Sequence, residues 1–250
     1  MPNEKTMSWD IMNPDRGDSM MDYVFRTMAD VEQAVEELGF LPFFANEIPG
    51  FSIEEHTPRE LWFSDQPGPW EWKGPVISEL RCAYGKFFHN KAVFISRKWF
   101  CDFANMRRDG YDYDARVDEG LSGSEEYLYN IIAARPSVLS KEAKAIGGYV
   151  KPRENGKDQW IPRKGFDTQI TKLQMKCYVI TTNFEYETDS QGNTYGWGIA
   201  RYATPEKYLG RYFTNNVYKR KPEESRERVI RHLMKVTGAR RNEIEYLIRG

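Results

Sequence analysis

Ser137–Tyr149, S-V-L-S-K-E-A-K-A-I-G-G-Y, and Phe166–Ala203, F-D-T-Q-I-T-K-L-Q-M-K-C-Y-V-I-T-T-N-F-E-Y-E-T-D-S-Q-G-N-T-Y-G-W-G-I-A-R-Y-A, decide the reading of this chain. Ser140 is a good helix N-cap, because its hydroxyl can accept from the free amides of the first turn. Lys141 to Ala145 favour helix and Gly147-Gly148 stop it. Asp167 or Thr168 caps a second helix with Ile170, Leu173 and Met175 on one side and Gln169, Thr171, Lys172 and Lys176 left polar. From Tyr178 the residues turn β-branched and aromatic, Asp189–Asn193 closes a hairpin, and Tyr195 to Tyr202 returns. Helix, turn, helix, strand, turn, strand is the order of a winged helix, a fold that most often reads nucleic acid.

Outward from this stretch, Ser124 caps a helix carrying Tyr127, Leu128, Ile131 and Ile132. Towards the N-terminus, Asp30 caps a helix to Leu38 that Gly39 ends. Leu41 to Ile53, broken by Pro42 and Pro49, reads as a buried irregular segment or short strand. Thr57-Pro58 opens a short helix through Phe63, Pro67-Gly68-Pro69 is a rigid turn, and Pro75 starts a helix to Leu80. Ala83–Phe88 and Ala92–Ser96 form a strand pair around His89-Asn90-Lys91, and Ser96 caps a helix to Met106. Pro222 starts a helix to Lys235, and Arg240–Arg249 supplies another. The expected fold is α+β, mainly helical, with tandem winged-helix units and small β-hairpin wings. Its expected parts are an irregular lead-in (1–20), N-terminal winged-helix-like units (21–120), a winged helix (121–210) and basic C-terminal helices (211–250).

The 250 residues are 40% hydrophobic and 14% aromatic, enough for a large core. No apolar run nears the roughly 20 residues of a membrane span, and the N-terminus lacks a signal-peptide core. Cys82, Cys101 and Cys177 are scattered, as are His56, His89 and His232. A cytoplasmic protein without disulfide framework, metal site or cofactor is expected. The net charge of −1 hides an asymmetry: residues 1–70 carry 14 acidic and 4 basic side chains, whereas 135–176 carry 10 basic and 4 acidic, and 211–250 carry 11 basic and 5 acidic. The basic half favours a polyanion, duplex DNA above all, with salt-sensitive affinity.

Trp62, Trp70, Trp72, Tyr84 and Lys86 form a candidate base pocket, where an extruded base stacks on aromatics; the alternative is that these rings are core. Thr168, Gln169, Thr171 and Lys172 are the expected DNA-facing residues of the second helix. Arg163 and Lys164 would meet phosphate, and Gln191 and Asn193 at the wing tip would reach a groove. Tyr84-Gly85-Lys86 is no phosphate loop, and the glycines of Tyr195-Gly196-Trp197-Gly198 suit close packing.

The motifs W-E-W-K-G-P (70–75), A-Y-G-K-F-F-H-N-K-A-V-F-I-S (83–96), F-D-T-Q-I-T-K-L-Q-M-K (166–176) and Y-G-W-G-I-A-R-Y-A-T-P-E (195–206) resemble the AlkZ-related proteins, bacterial relatives of the AlkZ-type winged-helix DNA glycosylases. The resemblance spans about residues 25–210. It implies tandem winged helices around a basic channel and metal-free hydrolysis of the N-glycosidic bond of alkylated bases in damaged DNA. The active enzymes keep a Q-x-Q or Q-x-D motif just after a helix ending in Leu-Gly. The matching place here, Leu38-Gly39-Phe40-Leu41-Pro42-Phe43-Phe44-Ala45, has neither Gln nor Asp. The nearest candidates for a catalytic role are Asn46, Glu47 and His56. A DNA-binding or regulatory protein that has lost the chemistry is the alternative, and a small-substrate enzyme using the aromatic cleft is a third reading.

Overall fold

Thr27 opens the first helix, α1 (Met28–Leu38). Its hydroxyl accepts from the Asp30 amide, and the Asp30 carboxylate accepts from the Thr27 amide. Asp30, expected as the cap, is thus the third helical residue of a capping box. The structure, a computed structural model, describes residues 23–64, 66–150, 163–191 and 194–249; the lead-in of residues 1–20 and Asn193 lie outside the described residues. Gly39 ends α1 at φ 76°, where a Cβ would stand 2.3 Å from Trp99 Cδ1, so both conformation and space require glycine.

Strand β1 (Phe40–Pro42) follows, fully buried. Ser52 caps α2 (Ile53–His56), and a 3-10 turn spans Arg59–Trp62. Helix α3 (Pro69–Leu80) has proline in its first turn and carries Pro75 inside; the expected start at Pro75 is six residues late. The hairpin β2 (Ala83–Phe88) and β3 (Lys91–Ile95) turns through His89 and Asn90, both left-handed, and leads into α4 (Arg97–Arg108). Next come α5 (Tyr113–Asp118), α6 (Glu126–Ala133), β4 (Val138–Leu139), α7 (Ser140–Ile146) and α8 (Phe166–Met175). Three expected caps move by a residue or more. Glu125 rather than Ser124 precedes α6, Leu139 rather than Ser140 precedes α7, and Gly165, at φ 88°, precedes α8 in place of Asp167 or Thr168. Strands β5 (Ile180–Thr188) and β6 (Thr194–Ala203) form the long hairpin. The chain closes with α9 (Pro205–Leu209), α10 (Arg211–Thr214), α11 (Pro222–Thr237) and α12 (Arg241–Leu247).

Among the described residues, six strands form one antiparallel sheet in the order β1-β3-β2-β5-β6-β4. The protein is therefore α+β. The order helix, strand, helices, strand, strand occurs twice, in α1 to β3 and in α6 to β6, and each time the first strand pairs with the last. The two halves of the sheet meet where Tyr84 on β2 pairs with Thr181 on β5.

Two hydrophobic clusters lie against this sheet. The larger holds Phe40, Phe87, Phe100 and Phe103 with Val229, Leu233 and Leu247 of the C-terminal helices; the smaller gathers Leu128, Ile132, Ile170, Leu173 and Tyr178. Arg108 at the end of α4 is fully buried. It donates to Glu206 (2.6 Å), the Tyr218 hydroxyl (3.0 Å) and the Cys177 carbonyl (2.8 Å), tying α4 to α9 and to the turn that follows α8. Among the described residues no helix is long and apolar enough to cross a membrane, and no group of His, Cys, Asp and Glu is arranged to hold a metal ion.

Candidate nucleic-acid interface

The 3-10 turn and the first turn of α3 face each other, and their aromatics wall a cleft of about 410 Å³ lined by Phe44, Glu54, Arg59, Trp62, Phe63 and Trp70. Trp62 and Trp70 meet edge to face with centroids 5.5 Å apart, and Phe44 lies 5.8 Å from Trp70. Trp197, on β6, stands edge-on to Trp70 at 5.7 Å. Phe63 is 85% and Trp197 80% exposed, so large rings at this site remain open to solvent.

The other aromatics grouped with them in sequence go to the core. Two helical positions turn a side chain by about 200°. Trp72 therefore points inward from Trp70, is buried, and donates Nε1–H to the Pro67 carbonyl at 3.0 Å. Tyr84 is buried against Phe43, Phe94 and Phe184, and burial raises its hydroxyl pKa. Lys86 leaves the cluster altogether, its Nζ lying 3.4 Å from the Thr171 hydroxyl on α8. Of the expected base-pocket residues, the structure brings only Trp62 and Trp70 together in the cleft.

Lys73, one turn along α3, buries its amine among rings: Nζ lies 4.5 Å from the Phe184 centroid, 4.7 Å from Trp70 and 5.3 Å from Phe43. Burial lowers its pKa from 10.5 to about 8, with the Glu71 charge opposing.

Asn46, Glu47 and His56 do not converge on a common point. The Asn46 amide donates to the Phe51 carbonyl (2.6 Å) and its oxygen accepts from the Ile48 amide (2.9 Å), which locks the loop between β1 and α2. Glu47 pairs with His89 Nδ1 at 3.3 Å, at the β2–β3 turn. His56 has both ring nitrogens against backbone carbonyls, of Tyr23 (2.9 Å) and Gly50 (2.8 Å), so both are engaged within the fold and neither faces the cleft lining. The carboxylate that lines the cleft is Glu54, whose Oε2 accepts from the Ala45 amide at 2.8 Å. A sequence signal for it exists: Ser52-Ile53-Glu54-Glu55 fits the S-x-x-E start of a helix, and Ser52 does bond Glu55.

On α8, Thr168 and Lys172 lie one turn apart and both are exposed. Gln169 is occupied, accepting from the Tyr149 hydroxyl at 2.5 Å, and Thr171 faces Lys86. Arg163 stacks on Tyr127 at 3.9 Å and Lys164 is exposed. At the hairpin tip Gln191 is exposed, its amide held by the Asp189 side chain at 2.8 Å.

A family model described as AlkZ related matches residues 25–249. The chain belongs to the AlkZ-related family. No match is found among curated proteins or among solved structures. The family match reaches beyond the 25–210 suggested by the motifs, taking in the C-terminal helices α11 and α12. Within this family member, the segment after α1 is core: Phe40 and Leu41 are fully buried, Phe43 is 1% exposed, and only Phe44 reaches the cleft.

Proposed function

We propose that the protein binds duplex DNA and receives a base displaced from the stack in the cleft of Trp62, Phe63 and Trp70. The cleft carries the reading: exposed aromatic faces in a concavity suit a flat base, and each stacked base contributes about 1–3 kcal/mol. We read each half of the sheet with its helices as a winged helix. The repeated element order and the pairing of first with last strand support this. On that reading residues 21–120 and 121–210 are two units, with 211–250 packed on the first, and α8 is the helix presented to DNA with Arg163, Lys164, Thr168 and Lys172 at the phosphates.

The test compares a perfect duplex with one holding a mismatched 2-aminopurine, by anisotropy and by probe fluorescence. The native protein should prefer the mismatched duplex and change its fluorescence. Trp70→Ala should weaken that duplex about tenfold or more while sparing the perfect one. Equal affinity of native and variant for the mismatched duplex would refute the cleft as the base site.

One observation favours a further, catalytic reading: Glu54 is a carboxylate on the cleft wall, anchored by one oxygen. On this reading its second oxygen takes a proton from a water attacking the sugar C1′, so that the glycosidic bond breaks and its electron pair leaves with the alkylated base. Release of base from alkylated duplex by the native protein, lost in Glu54→Gln, is the expected result. No release by the native protein leaves recognition without hydrolysis.

A further inference from the structure

We propose that a second cavity, between α4, α8 and the C-terminal helices, is a binding site for a phosphate group carried on an apolar body, that is, a nucleotide. This concavity of about 480 Å³ draws Arg107 from α4, Lys172 and Lys176 from α8, and Arg226 and Arg249 from the C-terminal segment. Five cations from three separate parts of the chain face one space with a single lining carboxylate, Glu245. Gathering like charges costs free energy that an anion would recover.

Local partners compensate only part of this charge. Glu245 pairs with Arg226 at 3.6 Å, and Glu125 pairs with Lys176 and is also felt by Lys172. Among the described residues, Arg107, Lys172 and Arg249 have no carboxylate within ion-pair distance. Arg107 is the fixed member. Its Nη2 donates to the Phe87 carbonyl (2.8 Å) and the Arg249 carbonyl (3.3 Å), so its guanidinium is held in place, while its buried Nε has no partner. Such an orphaned donor adds to the positive charge that the fold itself leaves uncompensated at this wall. Burial also lowers the Arg107 pKa, the expected mark of a cation lacking its counter-charge. Met106, Met175 and Ile248 complete the lining, and methionine adapts readily to a flat apolar group.

The site is separate from the aromatic cleft, since no residue lines both. It does not depend on base recognition there. The phosphate could belong to a free mononucleotide or to the end of a DNA strand, and the two sources are separable by experiment.

Calorimetric titration with dAMP, with deoxyadenosine as the phosphate-free probe, tests the site. A parallel titration uses duplexes with and without a 5′-phosphate. The expected result is saturable dAMP binding, none of the nucleoside, and about tenfold weakening in each of Lys172→Glu and Arg249→Glu. Arg211→Glu, an exposed charge reversal outside the cavity, should stay within about twofold. Arg107 is left unmutated because it also clamps β2 to the C-terminal segment. Preference for the 5′-phosphorylated duplex would make the strand end the source; dAMP binding without that preference would make it a free nucleotide. The proposal is overturned if neither dAMP nor a 5′-phosphate affects binding, if deoxyadenosine binds as well as dAMP, or if Arg211→Glu weakens binding as much as the cavity variants. Failure of the Trp70→Ala test would leave these outcomes untouched.

Discussion

Lys73→Met should make the protein more stable at neutral pH, and the gain should vanish in alkali. The Lys73 amine lies among Phe43, Trp70 and Phe184, and burial lowers its pKa from 10.5 to about 8. At about 1.4 kcal/mol per tenfold change in proton affinity, that difference corresponds to about 3 kcal/mol. The ring faces attract the cation and are already engaged, each contributing about 0.5–1 kcal/mol that methionine forfeits. Methionine keeps the length and most of the volume of the stem, so packing changes little. With three such rings forfeited, the net gain expected for Lys73→Met near pH 7 is therefore at most about 1.5 kcal/mol.

The sign with pH follows from linkage. Below pH 8 the amine is charged in both folded and unfolded chains, and folding bears the full cost of burying it. Between pH 8 and 10.5 the folded protein releases the proton while the unfolded chain keeps it, so native stability rises with pH through this group. Above 10.5 both states are neutral and the cost is gone. Urea unfolding of native protein and Lys73→Met at pH 7, 8, 9 and 10 isolates this contribution, because every other titrating group is common to both. The difference should be largest at pH 7 and shrink steadily above pH 8. A difference constant across that range, or a variant less stable at pH 7, would refute an uncompensated buried amine at Lys73.

Glu206→Gln leaves the fully buried Arg108 without its counter-charge; because Glu206 is itself about a third exposed, the expected loss is about 2–3 kcal/mol, read as a fall in the urea midpoint. Gly39→Ala combines a left-handed backbone with a Cβ 2.3 Å from Trp99, so a loss of about 3 kcal/mol is expected, together with a changed near-UV signal from the Trp99–His232 stack, whose centroids are 3.9 Å apart. Burial raises the thiol pKa of Cys82 to about 12, Cys101 to about 11 and Cys177 to about 12. At pH 8 a disulfide reagent should label none of the three in the native protein and all three after unfolding; rapid labelling of any one in the native state would contradict its burial.

The parts of the fold legible in sequence are those where one local signal suffices. His89-Asn90 is such a case: both residues tolerate left-handed backbone, the flanking residues are β-branched or aromatic, and the hairpin is where the pattern puts it. Strand β4 is the opposite case. Two residues, Val138 and Leu139, have no period to read, and they are a strand because β6 offers Tyr202 and Arg201 as partners. The cleft was half-legible for a related reason. A helix start at Pro75 leaves Trp70 and Trp72 in a turn with no face assigned to either; with the start at Pro69 they lie on opposite sides, and Trp72 is core. Helix α2 is only four residues long, too short to show a period, so the sequence pattern does not single out Glu54.

The same backbone explains why a polar pair is missing after α1 and where a carboxylate enters instead. Strand β1 pairs with β3 along its length, and Phe40, Leu41 and Phe43 are at most 1% exposed. A glutamine at any of these would bury an amide among aromatic rings, leaving donors and acceptors without partners at about 1–3 kcal/mol. The first side chain to leave this packing for the cleft is Phe44, which orders no water. The loop then turns through the bonds of Asn46, and α2 returns Glu54 to within 2.8 Å of the Ala45 amide, next to Phe44 in sequence. A charge-assisted bond from a backbone amide fixes one carboxylate oxygen and leaves the other unassigned. On the catalytic reading proposed above, the proton acceptor therefore comes from the helix after the strand, and Glu54→Gln is expected to abolish base release while leaving the proposed stacking on Trp62 and Trp70 intact.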